Sequence, residues 1–196
     1  MAQFHSFGAM GLSLAVLIAP TALSAQTANE SRASAATEFR GEAPGVCVIR
    51  GAARLISSNN ASLETSQLNA AAIRVTSLVA ADGSGQPNAA DLTLSIPVIC
   101  TVTHDVTVSS TGAGMTRDGG AGGVGVGFRS LLDYQVQTSW AGQTLAASAS
   151  ALPSVVTAPD AASGDLLVTV SILQGGQPLV AGSYSDTLTI LLTPSL

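Results

Sequence analysis

Alternating apolar and polar positions recur along much of this chain, most clearly in its last strand-length stretch, residues 182–193. One set of alternate side chains is apolar, while most of the intervening ones are Ser or Thr, the period-two pattern of a strand with one buried face. The apolar set consists of Tyr184, Leu188, Ile190 and Leu192. A strand this apolar at the end of a domain needs cover for its faces and edge, because an open edge pairs with other chains.

The same alternation predicts other strands upstream. In Leu92 to Val102, every second residue is apolar or Cys, which places Cys100 on the buried face. Pro97 falls in the opposite phase, and because proline lacks a backbone donor it predicts a sheet edge or a bulge there. Further strand candidates have the same period or composition: residues 46–49, 73–79, 105–109, 134–140 and 166–172.

No segment sustains the 3.6-residue period of an amphipathic helix. The nearest is Ala141 to Ala151, whose Ser and Thr content and following Pro153 make it a weak helix candidate. Strands separated by turn signals such as Gln174–Pro178 predict an all-β fold, a single antiparallel β-sandwich.

The first 25 residues have the features of an export signal. Leu12 to Ile18 is apolar, Pro20 ends the run, and Leu23-Ser24-Ala25 offers a small residue for cleavage, although the first ten residues carry no Lys or Arg. A membrane anchor is the rival interpretation, but the apolar run is short for a span. We therefore expect a signal peptide at 1–25, an N-terminal extension at 26–44 and a β-sandwich domain at 45–196.

Two cysteines, Cys47 and Cys100, follow the predicted signal. In an exported chain an even pair is most simply a disulfide, since the compartment is oxidising. The alternatives are a metal site, which needs His or acidic partners nearby, and a catalytic thiol, for which His104 is the available imidazole downstream of the signal.

Charge and composition narrow the function. Charged residues make up 10% of the chain, the net charge is −5, and all seven basic residues are Arg, so no clustered positive charge predicts nucleic-acid binding. The glycine-rich interval 111–127 lacks the Lys and the following helix of a phosphate-binding loop, which predicts a surface loop and no cofactor. His104 and Asp186 form no recognisable catalytic set, so we expect no enzyme and a structural hydrogen bond for Asp186.

The chain resembles the spore coat protein U domain family, which includes the secreted pilin subunits of the archaic chaperone-usher pathway. The segments that carry the likeness are Cys47-Val48, Ile96–Thr101 with Val106–Val108, Leu132–Val136 with Trp140, and Ala181–Ile190. The likeness covers roughly Val46 to Thr193. The Gly-x-Tyr-x-Asp-Thr pattern at 182–187 is its most specific part.

The resemblance implies an immunoglobulin-like sandwich that lacks one strand. Its open groove would be filled first by a periplasmic chaperone and then, at the outer-membrane usher, by the N-terminal strand of another pilin subunit. Ala33, Ala35 and Phe39 would be the donor residues, and Tyr184, Leu188, Ile190 and Leu192 would line the acceptor groove. The protein would pass through the periplasm to the cell surface or an extracellular fibre, meeting a membrane only through its signal peptide.

The donor segment departs from the family pattern. Subunits of this kind offer large aliphatic residues in alternation, whereas this segment offers mostly alanine, which forfeits several kcal/mol at about 25 cal/mol per Å² of apolar surface. Either the donor is weak or the subunit ends a filament. A different class of function also fits the sequence, a stand-alone secreted module that binds carbohydrate or protein through residues 111–127 or an exposed sheet.

Overall fold

A computed structural model describes residues 38–120 and 124–195. These residues belong to two units, one that ends at Gly41 and one that begins at Glu42. The signal segment, Ala33 and Ala35 lie outside the described residues. In the first unit, Phe39 is 91% exposed, and the Arg40 guanidinium donates a hydrogen bond to Glu38 over 2.9 Å.

The described residues confirm the all-β prediction, with strands throughout and one short 3₁₀ turn at Ala149–Ala151. In chain order the strands are β1 (Cys47–Ile49), β2 (Arg54–Asn59), β3 (Ala61–Gln67), β4 (Ala70–Val75), β5 (Ala90–Cys100), β6 (His104–Ser110), β7 (Met115–Arg117), β8 (Leu131–Leu132), β9 (Gln135–Trp140), β10 (Gln143–Ser148), β11 (Ser154–Ala158), β12 (Ala162–Ile172), β13 (Tyr184–Ser185) and β14 (Leu188–Pro194).

Two antiparallel sheets form the sandwich. The front sheet has the order β1-β5-β12-β9-β10, with β2 also paired to β5, and the back sheet has the order β11-β6-β14. A third sheet, β13-β7-β8, and the β3–β4 hairpin complete the fold. The inner faces of the front and back sheets share one apolar core, because alternate residues of each strand point to the same side.

Strand β5 has the predicted phase, with Leu92, Val98 and Cys100 all buried. It is not an edge strand, because β12 pairs with it along one side and β1 and β2 share the other. The missing donor of Pro97 faces the interruption between β1 and β2, at residues 50–53, where the pairing register shifts. The predicted irregularity is therefore in the partner strand, and the predicted edge was wrong.

Residues 141–151, which the sequence made only a weak helix candidate, form a turn and strand β10 over most of their length. Ala141 and Gly142 both have positive φ, 49° and 77°, and join β9 to β10 in a two-residue hairpin. Positive φ at both central positions matches the right-handed twist of the flanking strands, so this turn favours continued pairing over a helix. Only residues 149–151 form a helical turn.

The glycine-rich interval contains a strand that the sequence did not predict. Strand β7 pairs with β8 on one side and with β13 on the other. The final stretch is also not one continuous strand. It divides into β13 and β14, because Asp186 and Thr187 leave the ladder of β7 before the ladder of β6 begins at Leu188.

Strands β2, β3 and β4 were likewise only partly foreseen. Most of their side chains are exposed, so no regular apolar alternation marks them in the sequence. Ile73 and Val75 of β4 nevertheless lie against Ala90 and Leu92 of β5, which places the hairpin over part of the front sheet.

Candidate functional site

Strand β14 has one paired edge and one open edge. Its ladder partner is β6, and the N–H of Thr111 donates to the carbonyl oxygen of Thr187 over 3.0 Å just before β14 begins. Hydrogen-bonded pairs alternate in an antiparallel ladder. The backbone groups of Leu188, Ile190 and Leu192 therefore point away from β6, towards a side where no other described strand pairs with them.

Strand β1 presents a second edge with which no described strand pairs. The N–H of Arg50 donates to the carbonyl oxygen of Pro97 over 2.8 Å, which fixes the alternation of the β1–β5 ladder. By the same rule, the backbone groups of Cys47 and Ile49 point away from β5. The Cα atoms of β1 and β14 approach within 8 Å of each other, so the two edges run along the same side of the sandwich.

The side chains at these two edges are only partly covered. We call them the open flank: Cys47, Ile49, Leu188, Ile190 and Leu192. All five are half-buried and pack against the core cluster. The open flank thus combines unpaired backbone groups with apolar side chains that are incompletely removed from water.

A row of side chains across the back sheet shows how local this exposure is. Val156 of β11, Val106 of β6 and Leu192 of β14 lie side by side in register. Val156 is 4% exposed and Val106 is fully buried, whereas Leu192 is half-buried. All three point inward, so the difference reflects what lies across the sandwich from each strand.

The predicted groove residues do not all lie together. Leu188, Ile190 and Leu192 share the inward face of β14, but Tyr184 belongs to β13. The Tyr184 hydroxyl lies 2.7 Å from the carbonyl oxygen of Val180, to which it donates. The sequence did not identify Cys47 and Ile49 as the second wall, because the predicted disulfide indicates only that their strand lies beside the strand of Cys100.

Asp186 fixes the start of β14. Its carboxylate accepts hydrogen bonds from the hydroxyls of Ser110 and Tyr134, the latter over 2.6 Å, and from the N–H groups of Gly112 and Thr187. Partial burial would raise the pKa of Asp186, but these hydrogen bonds outweigh it and hold the pKa below its ordinary value. The predicted structural hydrogen bond is confirmed.

Tyr134 is the partner of Asp186 whose pKa is strongly shifted. Burial raises the pKa of Tyr134 far above its ordinary value, and the hydrogen bond to the Asp186 carboxylate raises it further. The phenol therefore stays protonated and remains a donor. It links the start of β9 in the front sheet to the chain that enters β14 in the back sheet.

Cys47 and Cys100 form the predicted disulfide, with their Cα atoms 4.1 Å apart. They are directly opposite each other in the β1–β5 ladder, so the bond fastens one wall of the open flank to the front sheet. The metal and free-thiol interpretations are wrong for this oxidised state. Although a nitrogen of His104 lies within 4.8 Å of both sulfurs, the two sulfurs are bonded to each other.

His104 is a core residue and not a free imidazole. It is fully buried, its Nδ1 lies 2.7 Å from the carbonyl oxygen of Val102, and its Nε2 accepts a hydrogen bond from the Trp140 indole over 2.6 Å. This arrangement corresponds to the neutral ring protonated on Nδ1. The indole bond joins β6 of the back sheet to β9 of the front sheet.

Across residues 38–120 and 124–195, no helix is long and apolar enough to cross a membrane. Neither protein-family models nor curated protein sequences give a match to this chain. The resemblance to the spore coat protein U domain therefore stays a prediction.

Proposed function

We propose that this protein is a non-enzymatic subunit of a secreted bacterial surface fibre, assembled when a strand from another chain occupies the open flank. The observation that carries the proposal is that β1 and β14 each have an edge with which no described strand pairs, with half-buried apolar side chains between them. An extended segment would pair with these backbone groups, and its alternate side chains would enter the apolar flank.

The energetics favour a strand over a globular partner. Leu188, Ile190 and Leu192 have both their unpaired backbone groups and their side chains on the same flank, so one extended segment can satisfy both at once. Full burial of an aliphatic side chain is worth roughly 1.5–3 kcal/mol relative to full exposure. Completing the burial of several half-buried residues therefore provides a few kcal/mol, in addition to the new main-chain hydrogen bonds.

The disulfide supports an exported protein, since such bonds persist in oxidising compartments. On this proposal the chain belongs with the spore coat protein U pilins, uses a periplasmic chaperone and an outer-membrane usher, and takes its strand from another subunit. Residues 26–44, which include Ala33, Ala35 and Phe39, are the proposed donor segment.

The test uses a chain that lacks residues 26–44 and a synthetic peptide of that sequence. We expect the truncated chain to bind the peptide in a fluorescence anisotropy titration and to remain monomeric by sedimentation, while the chain with residues 26–44 assembles as its concentration rises. A peptide with Leu in place of Ala33 and Ala35 should bind at least roughly tenfold more tightly, because more apolar surface is buried.

Two adjacent positions provide the matched control. Ile190→Ser alters an inward side chain of the open flank, whereas Leu191→Ser alters an outward side chain that is 57% exposed. Only Ile190→Ser should weaken peptide binding, by roughly tenfold. If both peptides fail to bind and the chain with residues 26–44 stays monomeric at every concentration, the fibre proposal is wrong.

A further inference from the structure

A polar cleft lies at one end of the front sheet, between the start of β9 and the turn after β12. Its volume is about 280 Å³, close to the lower limit of small-molecule sites. The side chains that line it include Arg129, Asp133, Gln135, Leu173 and Gln174. Most of these groups are polar, and none belongs to the open flank.

Arg129 has unused hydrogen-bonding capacity in this cleft. Its Nε is buried and has no hydrogen-bond partner among the described residues, and its Nη2 makes one long bond, 3.5 Å, to the carbonyl oxygen of Gly175. Among the described residues, no carboxylate lies within 4.0 Å of the guanidinium. A buried donor without an acceptor costs about 1–3 kcal/mol, so this arrangement calls for an explanation.

The backbone of Arg129 is held firmly in place. Its N–H donates to the carbonyl oxygen of Pro178 and its carbonyl oxygen accepts from the N–H of Val180, both over 3.0 Å. The guanidinium also lies close to the backbone at Gly176, where a Cβ would approach Nη2 to 3.3 Å. The backbone that carries the charged group is thus fixed before any ligand arrives.

We propose that this cleft binds a small carboxylate that also carries hydroxyl groups, of the uronic acid class. A guanidinium presents Nε and Nη donors in a planar fork that matches the two oxygens of a carboxylate. A carboxylate in the cleft would accept from the Nη donors, and a small turn of the guanidinium, whose one hydrogen bond is long, would bring the buried Nε–H to the same carboxylate. The exposed amides of Gln135 and Gln174 are placed to bond sugar hydroxyls, and Leu173, 70% exposed, offers an apolar surface beside them.

The Asp133 carboxylate favours a ligand with a single carboxylate over a more highly charged anion. Its carboxylate lines the same cleft and accepts hydrogen bonds from the N–H of Tyr134 and from the N–H and hydroxyl of Ser150. A second negative charge on the ligand would be repelled by Asp133. A hydroxyl group could instead donate to a remaining lone pair of Asp133, which favours a singly charged sugar acid over phosphate or sulfate.

Saturation-transfer difference NMR on the oxidised full chain tests the proposal, because the method works on monomers and assemblies alike. The probes are glucuronate, glucose and inorganic phosphate, the last titrated in competition with glucuronate. We expect saturation transfer to glucuronate, much weaker transfer to glucose and little competition by phosphate. Transfer to glucuronate should fall as salt concentration rises, since the main contact is between charges.

The variants are Arg129→Gln, Arg129→Lys and, as a matched control, Arg74→Gln. Arg129→Gln should weaken glucuronate binding by roughly tenfold or more, and Arg129→Lys should also weaken it because an ammonium lacks the planar fork. Arg74→Gln should have no effect, since Arg74 is 71% exposed on β4.

A direct readout does not depend on any variant folding. Addition of glucuronate should shift the Nε–H resonance of Arg129 in ¹H–¹⁵N spectra of the unaltered chain and leave that of Arg74 in place. Equal binding of glucose, stronger binding of phosphate, full binding by a folded Arg129→Gln chain, or an unmoved Arg129 resonance would each overturn the assignment.

Discussion

Strands β11 and β14 are the two edges of the same sheet, and both pair with β6, yet their inward faces differ. On β11, Val156 is 4% exposed and Ala158 is fully buried, whereas the inward residues of β14 are half-buried. Their outward faces are alike, since Val155 is 48% exposed and Leu191 is 57% exposed. The two strands thus differ specifically on the side that faces the core.

The reason lies in what covers each flank. Strand β10 of the front sheet lies against β11, and a short 3₁₀ turn leads from one towards the other along the chain. At the opposite flank, β14 faces the three-residue strand β1, which is too short to cover it. An edge strand is therefore buried or open according to its neighbour across the sandwich, and not according to its own sequence.

Loss of the disulfide should cause the largest decrease in the free energy of unfolding. Replacing both Cys47 and Cys100 with Ala releases β1, the wall opposite β14, and frees the unfolded chain from a loop closed across 53 residues of sequence. The chain-entropy model gives a loss of about 4 kcal/mol in the free energy of unfolding. Urea unfolding, followed by circular dichroism, measures it. A loss below about 1 kcal/mol would mean that the bond adds little to the wall.

The next prediction compares the two edges directly. Val156→Ala should lower the free energy of unfolding by about 2 kcal/mol, because it leaves a cavity in a closed region. Leu192→Ala removes more atoms but should cost only about 1 kcal/mol in the free chain, because its side chain is already partly hydrated. Urea unfolding measures both variants.

When a strand is bound at the open flank, Leu192→Ala should cost more stability than Val156→Ala. When the peptide of residues 26–44 is added at saturation to the chain that lacks those residues, the cost of Leu192→Ala should rise by about 1–2 kcal/mol, since the strand completes its burial. The cost of Val156→Ala should not change. If both costs rise together or neither does, the open flank is not where the peptide binds.

The smallest expected change in stability concerns the hydrogen bonds that Asp186 accepts just before β14 begins. Because the pKa of Asp186 is lowered in the folded chain from an ordinary 3.8, its stabilising contribution is complete above about pH 5 and is lost as pH falls through the folded pKa. Asp186→Asn should therefore cost about 1 kcal/mol at pH 7 and progressively less below pH 4. Thermal unfolding between pH 3 and pH 7 measures the difference.

Asp165→Asn is the control for that series, because Asp165 is exposed on β12 and makes no hydrogen bond of this kind among the described contacts. Its effect should be small at every pH. A pH-independent cost for Asp186→Asn would show that the carboxylate charge does not matter and that only the shape of the side chain does.

The sequence predicted strands where one face is buried, because apolar and polar side chains then alternate regularly along the strand. Strands β5, β9 and β12 were found because most of their alternate residues are apolar over six positions or more. Strands β2 to β4 were largely missed, since most of their side chains are exposed and leave no periodic signal. The break of the last stretch at Asp186 was missed because it depends on bonds to Ser110 and Tyr134, which are distant in sequence.

The candidate sites likewise combine features that local periodicity predicted with features that depend on distant residues. Leu188, Ile190 and Leu192 were predicted as one face of a strand, and the structure places them there. Their partial exposure and the second wall at Cys47 and Ile49 required the arrangement of the two sheets. The cleft at Arg129 had no signal in the sequence, since its lining comes from segments that meet only in the fold.

The order of apolar and polar residues determined that this chain forms an antiparallel β-protein and which side of its long strands faces inward, and the even cysteine pair after the predicted signal indicated that Cys47 and Cys100 are joined. These follow from local periodicity and from cysteine chemistry. Only the tertiary structure decided which edges remain open and which polar groups lack partners. Whether a side chain is buried depends on what lies across the sandwich from it. The sequence of one segment does not specify which distant segment will lie there.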